Sequence, residues 1–309
     1  MINHLDGGYL RQALERDVRT GLTSEPKWLP PKWFYDEVGS ELFSRITRLD
    51  EYYPTRRELT ILRSHAADIV HRSGSDTLIE LGSGTSEKTA LLLPKMRVYM
   101  PVDVDAVTLR ASARRLSARF PRLAVQPVCA DFERHLSLLP PGMVAFLGGT
   151  IGNLDPEARE VFLNELRSTR KPGDAFLLGA DLVKDRGRLI RAYDDAEGVT
   201  AAFNRNVLHV INRELNADFV PDDFAHVARY DEENEWVEMR LRATRPMRVH
   251  IRDLDFTVYF VRGEEMRTEI SAKFHRDGLA EELARAGFAL DRWYSDPGGD
   301  FALALSTAR

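Results

Sequence analysis

The residues best suited to chemistry fall at the ends of four short apolar runs. Glu80-Leu81-Gly82-Ser83-Gly84-Thr85 closes the first, and glycines there permit a tight turn and close approach of the backbone to a ligand. Asp103 closes the second, about 20 residues past the last glycine, where an acid holds ribose hydroxyls in nucleoside sites. Asp131 closes the third and Phe132 follows it, a carboxylate for an adenine amino group beside a ring that packs on the base. Any one acid alone is more often a helix cap or turn residue. Three successive strand ends bearing the set read as a nucleoside site. The fourth run ends in Gly148-Gly149-Thr150-Ile151-Gly152-Asn153. Its side-chain amide suits a substrate amine or carboxylate, although asparagine before a helix is also a common turn residue.

A rival reading starts from Gly82-Ser83-Gly84-Thr85-Ser86-Glu87-Lys88-Thr89, which has the outline of a phosphate-binding loop. Glu87 stands where that loop needs a glycine. A carboxylate there repels a triphosphate, and its Cβ obstructs the backbone nest. The sequence also lacks a convincing aspartate-ended strand for magnesium, though Asp181 can be proposed. The triphosphatase reading is the weaker one.

The elements that position these residues alternate. From about residue 56 a helix, opened by the capping-box pattern Thr55-Arg56-Arg57-Glu58, is followed by apolar runs 77–81, 98–102, 123–128, 143–147 and 175–178. Runs of this kind form buried parallel strands. Pro101 and Pro127 count against central strands. A helix begins at Asp155-Pro156, an N-cap followed by proline at the first helical position. After about residue 185 helical segments continue to about residue 215, and then period-two alternation sets in. Val237, Met239 and Leu241 alternate with charged residues, and so do Phe256, Val258 and Phe260 with polar ones, the mark of antiparallel strands. A short helix (279–286) then leads to runs 289–294 and 301–305, joined by the turn Asp296-Pro297-Gly298-Gly299-Asp300. A terminal hairpin added to a five-stranded doubly wound sheet resembles the class I methyltransferase fold. What that resemblance implies is an α/β fold, a doubly wound class I methyltransferase sheet with a second α+β substrate-recognition domain. The expected boundaries are 56–184 with 274–309 for the first domain, and 1–55 with 185–273 for the second.

Composition narrows the partners. The 309 residues carry a net charge of −5, so no broad basic face is available for nucleic acid or anionic lipid. The eight histidines are scattered and the single cysteine, Cys129, allows no disulfide framework. No metal, nucleic-acid or membrane partner is expected, and the chain is read as a cytoplasmic monomer.

Several strings together resemble one family: Tyr35-Asp36 with Gly39-Ser40, Glu51-Tyr52-Tyr53-Pro54-Thr55-Arg56, residues 80–89 and 148–154, Ala192-Tyr193-Asp194-Asp195, residues 198–204 and residues 266–274. From about residue 33 onward the chain resembles the histidine-specific Nα-methyltransferases of ergothioneine biosynthesis. The resemblance implies that Gly82, Lys88, Asp103, Asp131 and Phe132 contact S-adenosylmethionine. It implies that Tyr52, Asn153, Tyr193, Glu269 and Ser271 contact L-histidine. Asn153 and Tyr35 would position the amine as the catalytic pair, Tyr52 and Tyr193 the carboxylate, and Glu269 with Ser271 the imidazole. Alternate strand residues share a face, which lets Glu269 and Ser271 project together. The bland alternative pairs Glu269 with Arg267 on the surface. The rival functions are an N-methyltransferase for another aromatic amino acid, such as a tryptophan derivative, and a non-catalytic adenosine-binding regulator.

Overall fold

The computed structural model describes residues 1–5 and 7–309. In chain order the elements are β1 (Ile2–Asn3), α1 (Tyr9–Thr23), α2 (Glu37–Ile46), α3 (Pro54–Ser73), β2 (Thr77–Leu81), β3 (Val98–Asp103), α4 (Ala106–Arg119), β4 (Ala124–Val125), β5 (Val128–Cys129), β6 (Met143–Phe146), α5 (Pro156–Ser168), β7 (Ala175–Asp181), α6 (Arg186–Tyr193), α7 (Val199–Leu215), β8 (Phe224–Asp231), β9 (Trp236–Ala243), β10 (Met247–Ile251), β11 (Phe256–Phe260), β12 (Glu265–Ala272), α8 (Arg276–Arg285), β13 (Phe288–Ser295) and β14 (Phe301–Ala308). They form two compact units. One comprises 1–5, Pro54–Val183 and Lys273–Arg309; the other Gly7–Tyr53 and Lys184–Ala272.

In the first unit the strands run in the order β1-β5-β3-β2-β6-β7-β14-β13, with β4 also paired to β3. Every pairing is parallel except those of β14 with β7 and β13. The strands β2, β6, β7 and β14 are almost wholly buried because both faces are covered. Residues 1–5 do not follow the expected 1–55 assignment: Ile2 and Asn3 pair with Val128 and Cys129. The run 123–128 is two strands rather than one. β3 pairs with β4 at Val98–Tyr99 and with β5 at Val102–Asp103, so the ladder is interrupted at Met100–Pro101, opposite Gln126–Pro127. Two prolines without N–H groups account for the gap. The turn after β2 leads into no α-helix. Two 3₁₀ turns, Thr89–Leu91 and Leu93–Lys95, follow instead, and Pro94 interrupts any longer helical ladder. The capping box is also absent. The helix α3 starts at Pro54, which puts Thr55 inside it and frees Glu58 for another role. Asp155 caps α5 as its sequence implies, accepting from Ala158 N at 2.9 Å.

The second unit packs a three-stranded antiparallel sheet, β12-β9-β8, and the hairpin β10-β11 with helices around an apolar core. Val237, Met239 and Leu241 from β9, Met266 from β12 and Phe203 from α7 are among its buried residues. The pairing of β12 with β9 slips between Arg267 and Glu269. Arg267 faces Arg240, while Glu269 faces Met239 and Ser271 faces Val237. A bulge of this kind sets two residues, here Thr268 and Glu269, against one. Since Arg240 and Met239 point to opposite faces, Arg267 and Glu269 do too. Glu269 and Ser271 lie on the face of the buried Met239 and Val237, and Arg267 Nη1 lies 3.7 Å from Glu238 Oε1. The surface pairing of Glu269 with Arg267 does not form.

The approach to α2 is fixed by a glycine and a carboxylate. Asp36 caps the helix, accepting from Gly39 N at 2.8 Å. Asn206 Nδ2 donates to Phe34 O at 3.1 Å and to Asp36 Oδ1 at 2.7 Å. Burial pushes the Asp36 carboxyl up, but the Gly39 N–H, Asn206 and Arg213 outweigh it and leave it below the usual range. A Cβ on Gly39 would lie 1.6 Å from the Phe34 carbonyl oxygen, a backbone atom with nowhere to move. Gly39→Ala is therefore expected to cost at least about 3 kcal/mol, lowering Tm by roughly 6–12 °C in a thermal melt. A Tm within about 2 °C of the parent would refute this account of the packing.

Candidate active site

In the first unit, the turn after β2, Asp103, Asp131 with Phe132, and Asn153 all lie at the carboxyl ends of adjacent parallel strands, β5-β3-β2-β6. Ligands of open α/β sheets bind there. Gly82 and Gly84 have φ of 64° and 46°, a left-handed backbone that glycine adopts without strain. Asp103 Oδ2 accepts from Gly84 N at 2.9 Å and its Oδ1 from Asp105 N at 3.1 Å, which joins the second strand end to the glycine turn. Burial raises the Asp103 carboxyl above its ordinary range in spite of these N–H groups. Asp131 is buried and accepts from Glu133 N at 2.9 Å. The Phe132 ring contacts Phe146 edge-on at 5.1 Å between centroids, and its Cε1 lies 3.7 Å from where a Cβ on Gly82 would sit. Asn153 ends the 3₁₀ turn Thr150–Asn153, entered through Gly149 at φ 74°.

Two buried acids in this region carry roles that the sequence did not disclose. Glu58, fully buried on α3, accepts from Gly148 N at 2.7 Å through Oε1 and from the Lys88 ammonium through Oε2. It links α3 to the turns after β2 and β6, and it holds Lys88 beside Gly148. A Cβ on Gly148 would lie 3.2 Å from Lys88 Nζ. In sequence Glu58 reads as part of a helix cap because it stands three residues after Thr55. Glu80, the last acid before the glycine turn, accepts from the Thr89 and Tyr99 hydroxyls. Burial raises its carboxyl to about 7, with Thr89, Tyr99 and Lys88 opposing. Asp181, the magnesium candidate of the triphosphatase reading, is instead paired with buried Lys273 at 2.9 Å.

The second unit brings together the aromatic set. Tyr193 OH donates to Ser271 Oγ at 2.6 Å. The Tyr52 and Tyr193 rings are 6.4 Å apart, and Phe43 touches both Tyr52 and Tyr35 at 6.1 and 5.5 Å. Tyr35, 39% exposed, also packs edge-on against Phe203 at 5.3 Å. Glu269 is half-buried, two residues before Ser271 on the face selected by the bulge.

The first-unit strand ends fit an adenosyl ligand. The glycine turn lets the backbone come close, and nothing lies within 4 Å of where a Cβ on Gly84 would project. Within that turn Ser83 Oγ is buried without a hydrogen-bond partner. Asp103 and Asp131 supply acceptors, and Phe132 supplies a ring.

A parallel sheet whose ordered strand ends carry this set, closed by the reversed hairpin β13-β14, defines a class I methyltransferase. The chain belongs to the SAM-dependent, histidine-specific methyltransferases, whose family model matches residues 14–308. It is 54% identical to the histidine N-alpha-methyltransferase of Mycolicibacterium smegmatis, over 99% of this chain and 98% of that protein. It is 53% identical to that of Mycobacterium tuberculosis, over 98% of each. Ergothioneine biosynthesis protein 1 of Schizosaccharomyces pombe is 30% identical over 66% of this chain and 29% of its own length.

Two measurements probe the buried acids. Glu58→Gln keeps an acceptor for Gly148 N and removes the charge that holds Lys88. S-adenosylhomocysteine should then bind about tenfold more weakly by calorimetry, and an unchanged Kd would detach Glu58 from the cofactor site. For Glu80, the folded carboxyl near 7 lies above its ordinary value of 4.5, so the folded state holds the extra proton between those limits. Stability should fall by up to about 3 kcal/mol as pH rises through that window and level off above it. Glu80→Gln should flatten this fall in denaturation curves taken at pH values across the window. Equal slopes in parent and variant would contradict the burial of the charge.

Proposed function

We propose that this chain transfers three methyl groups from S-adenosyl-L-methionine to the α-amino group of L-histidine. The product is Nα,Nα,Nα-trimethylhistidine (hercynine), and the reaction is the first step of ergothioneine biosynthesis. The observation that carries the reading is the pair Glu269 and Ser271, turned by the bulge in β12 to the face where Tyr193 meets Ser271. A carboxylate and a hydroxyl two residues apart match an imidazole, which offers one N–H donor and one acceptor nitrogen. The two mycobacterial relatives are named for this activity. A carboxylate facing a carbon-rich indole would be poorly matched, which disfavours a tryptophan derivative as substrate. One buried cysteine, Cys129, suits the reducing cytoplasm, and the chain is taken to act as a monomer.

When bound, the sulfonium supplies an activated methyl, so the protein need not provide an acid or a metal. In this reading Gly82, Lys88, Asp103, Asp131 and Phe132 hold the cofactor. Tyr52 and Tyr193 hold the substrate carboxylate, and Tyr35 with Asn153 orients the amine. The α-ammonium must first lose a proton to expose its lone pair. Each transfer would need a neutral amine, so one proton would leave the nitrogen before each of the three until it is quaternary. Alignment of amine and methyl removes translational and rotational freedom, a contribution on the order of 7–11 kcal/mol in favourable systems.

Mass spectrometry of the purified protein with histidine and excess cofactor should show three methyls on the α-nitrogen. Glu269→Ala should lose preference for histidine over phenylalanine and tryptophan by about tenfold in kcat/KM, because the ring N–H is left unpaired, while affinity for S-adenosylhomocysteine stays at the parental value. Methylation of a ring nitrogen would overturn the placement of the amine. An unchanged selectivity ratio would remove Glu269 from the site.

A further inference from the structure

Behind the amino-acid residues of the second unit runs a buried polar chain that none of the roles above uses. It begins at the bulge, where Thr268 Oγ1 donates to Asn204 Oδ1 at 2.6 Å and approaches Met239 O at 3.0 Å. Asn204 Nδ2 donates to Arg240 O at 3.1 Å and to His226 Nδ1 at 2.8 Å. His226 Nε2 lies 2.8 Å from Tyr193 O. Thr268 and Asn204 are fully buried, and the His226 side chain is 3% exposed. The orientation of every group follows from its partners. Arg240 O only accepts, so the amide nitrogen of Asn204 must face it, and its oxygen then faces Thr268. Nδ1 of His226 must accept from that amide, so the proton resides on Nε2 and is donated to Tyr193 O. Only the neutral imidazole satisfies both neighbours.

The two ends of this chain are where the amino-acid site is made. Thr268 is the bulge residue that turns Glu269 and Ser271 inward, and Tyr193 is the residue whose hydroxyl donates to Ser271. The loop is closed: Thr268, Asn204, His226, Tyr193 and Ser271 return to β12 three residues from the start. We infer that Asn204, His226 and Thr268 are positioning residues that set the spacing between Tyr193 and the Glu269–Ser271 pair, and through it the affinity for the substrate amino acid. A satisfied buried network can hold its members in one arrangement, and removing one member exposes the cost of the others. This inference rests on the histidine-methylating reading and adds residues that do not touch the substrate.

His226→Gln offers an amide that can accept from Asn204 and donate to Tyr193 O, whereas His226→Leu can do neither. The measurements are KM and kcat for histidine, the Kd for S-adenosylhomocysteine, and Tm. His226→Leu should raise the histidine KM about tenfold or more with the cofactor Kd unchanged, and His226→Gln should recover most of the loss. Thr268→Val, which keeps the shape and removes the donor, should shift KM in the same direction and serves if His226→Leu does not fold. A parent that does not methylate histidine refutes the underlying reading. If the parent does methylate histidine, a parental KM in the folded variants overturns the positioning role. So does a His226→Gln variant as impaired as His226→Leu, or a rise in cofactor Kd that matches the rise in KM.

Discussion

One extra residue in β12 governs which of its side chains the second unit turns inward. Without the bulge at Thr268 and Glu269, strict alternation would carry Met266 and residues 268, 270 and 272 inward, leaving Glu269 and Ser271 on the face of Arg267. The bulge changes the phase in mid-strand. Met266 lies inward opposite Leu241, and Glu269 and Ser271 lie inward opposite Met239 and Val237. A bulge leaves local hydrogen-bonding groups to be satisfied, and here Thr268 is bound to Asn204 and to the Met239 carbonyl. Polar side chains thus enter a face that would otherwise be apolar, and Thr268 and Ser271 acquire partners there.

The first unit solves a related problem with carboxylates. Glu58 and Glu80 sit behind the strand ends, where burial opposes their charge. Their partners are the Lys88 ammonium, the Gly148 N–H and the hydroxyls of Thr89 and Tyr99. Two turns whose glycines give them little intrinsic stiffness are in this way tied to a helix and to neighbouring strands. A glycine-rich turn gains access to a ligand at the expense of conformational order, and these acids restore the order from behind.

The sheet was legible in the sequence because parallel strands buried on both faces read as apolar runs with their chemistry at the ends. Residues 77–81, 98–102, 143–147 and 175–178 and the closing hairpin all appear as strands. The run 123–128 forms two strands where one is expected because two prolines on neighbouring strands coincide in space, which one-dimensional pattern does not show. The glycine turn and the acids at the strand ends were legible for the same reason as the strands. Glu269 and Ser271 were named through the family resemblance, but the face they occupy was not derivable from alternation, which the bulge breaks. Glu58 reads in sequence as part of a capping box, and nothing marks the buried contacts of Asn204 and His226. Their partners are distant along the chain, and a buried polar residue reads in sequence like a solvated one.

The reversed hairpin has a consequence for the order of assembly. β14 is buried between β7 and β13 and pairs with β7 along seven residues from Phe301↔Asp181 to Thr307↔Ala175. Between the two partners lie the whole Lys184–Ala272 segment, α8 and β13. Closing so long a loop is entropically slow, and contacts of this separation form late. The parallel strands β2 to β7 can gather while β7 still presents an unpaired edge. That edge stays open to other chains until β14 arrives. The step most exposed to misassembly in this protein is therefore the docking of a strand that takes no part in its chemistry.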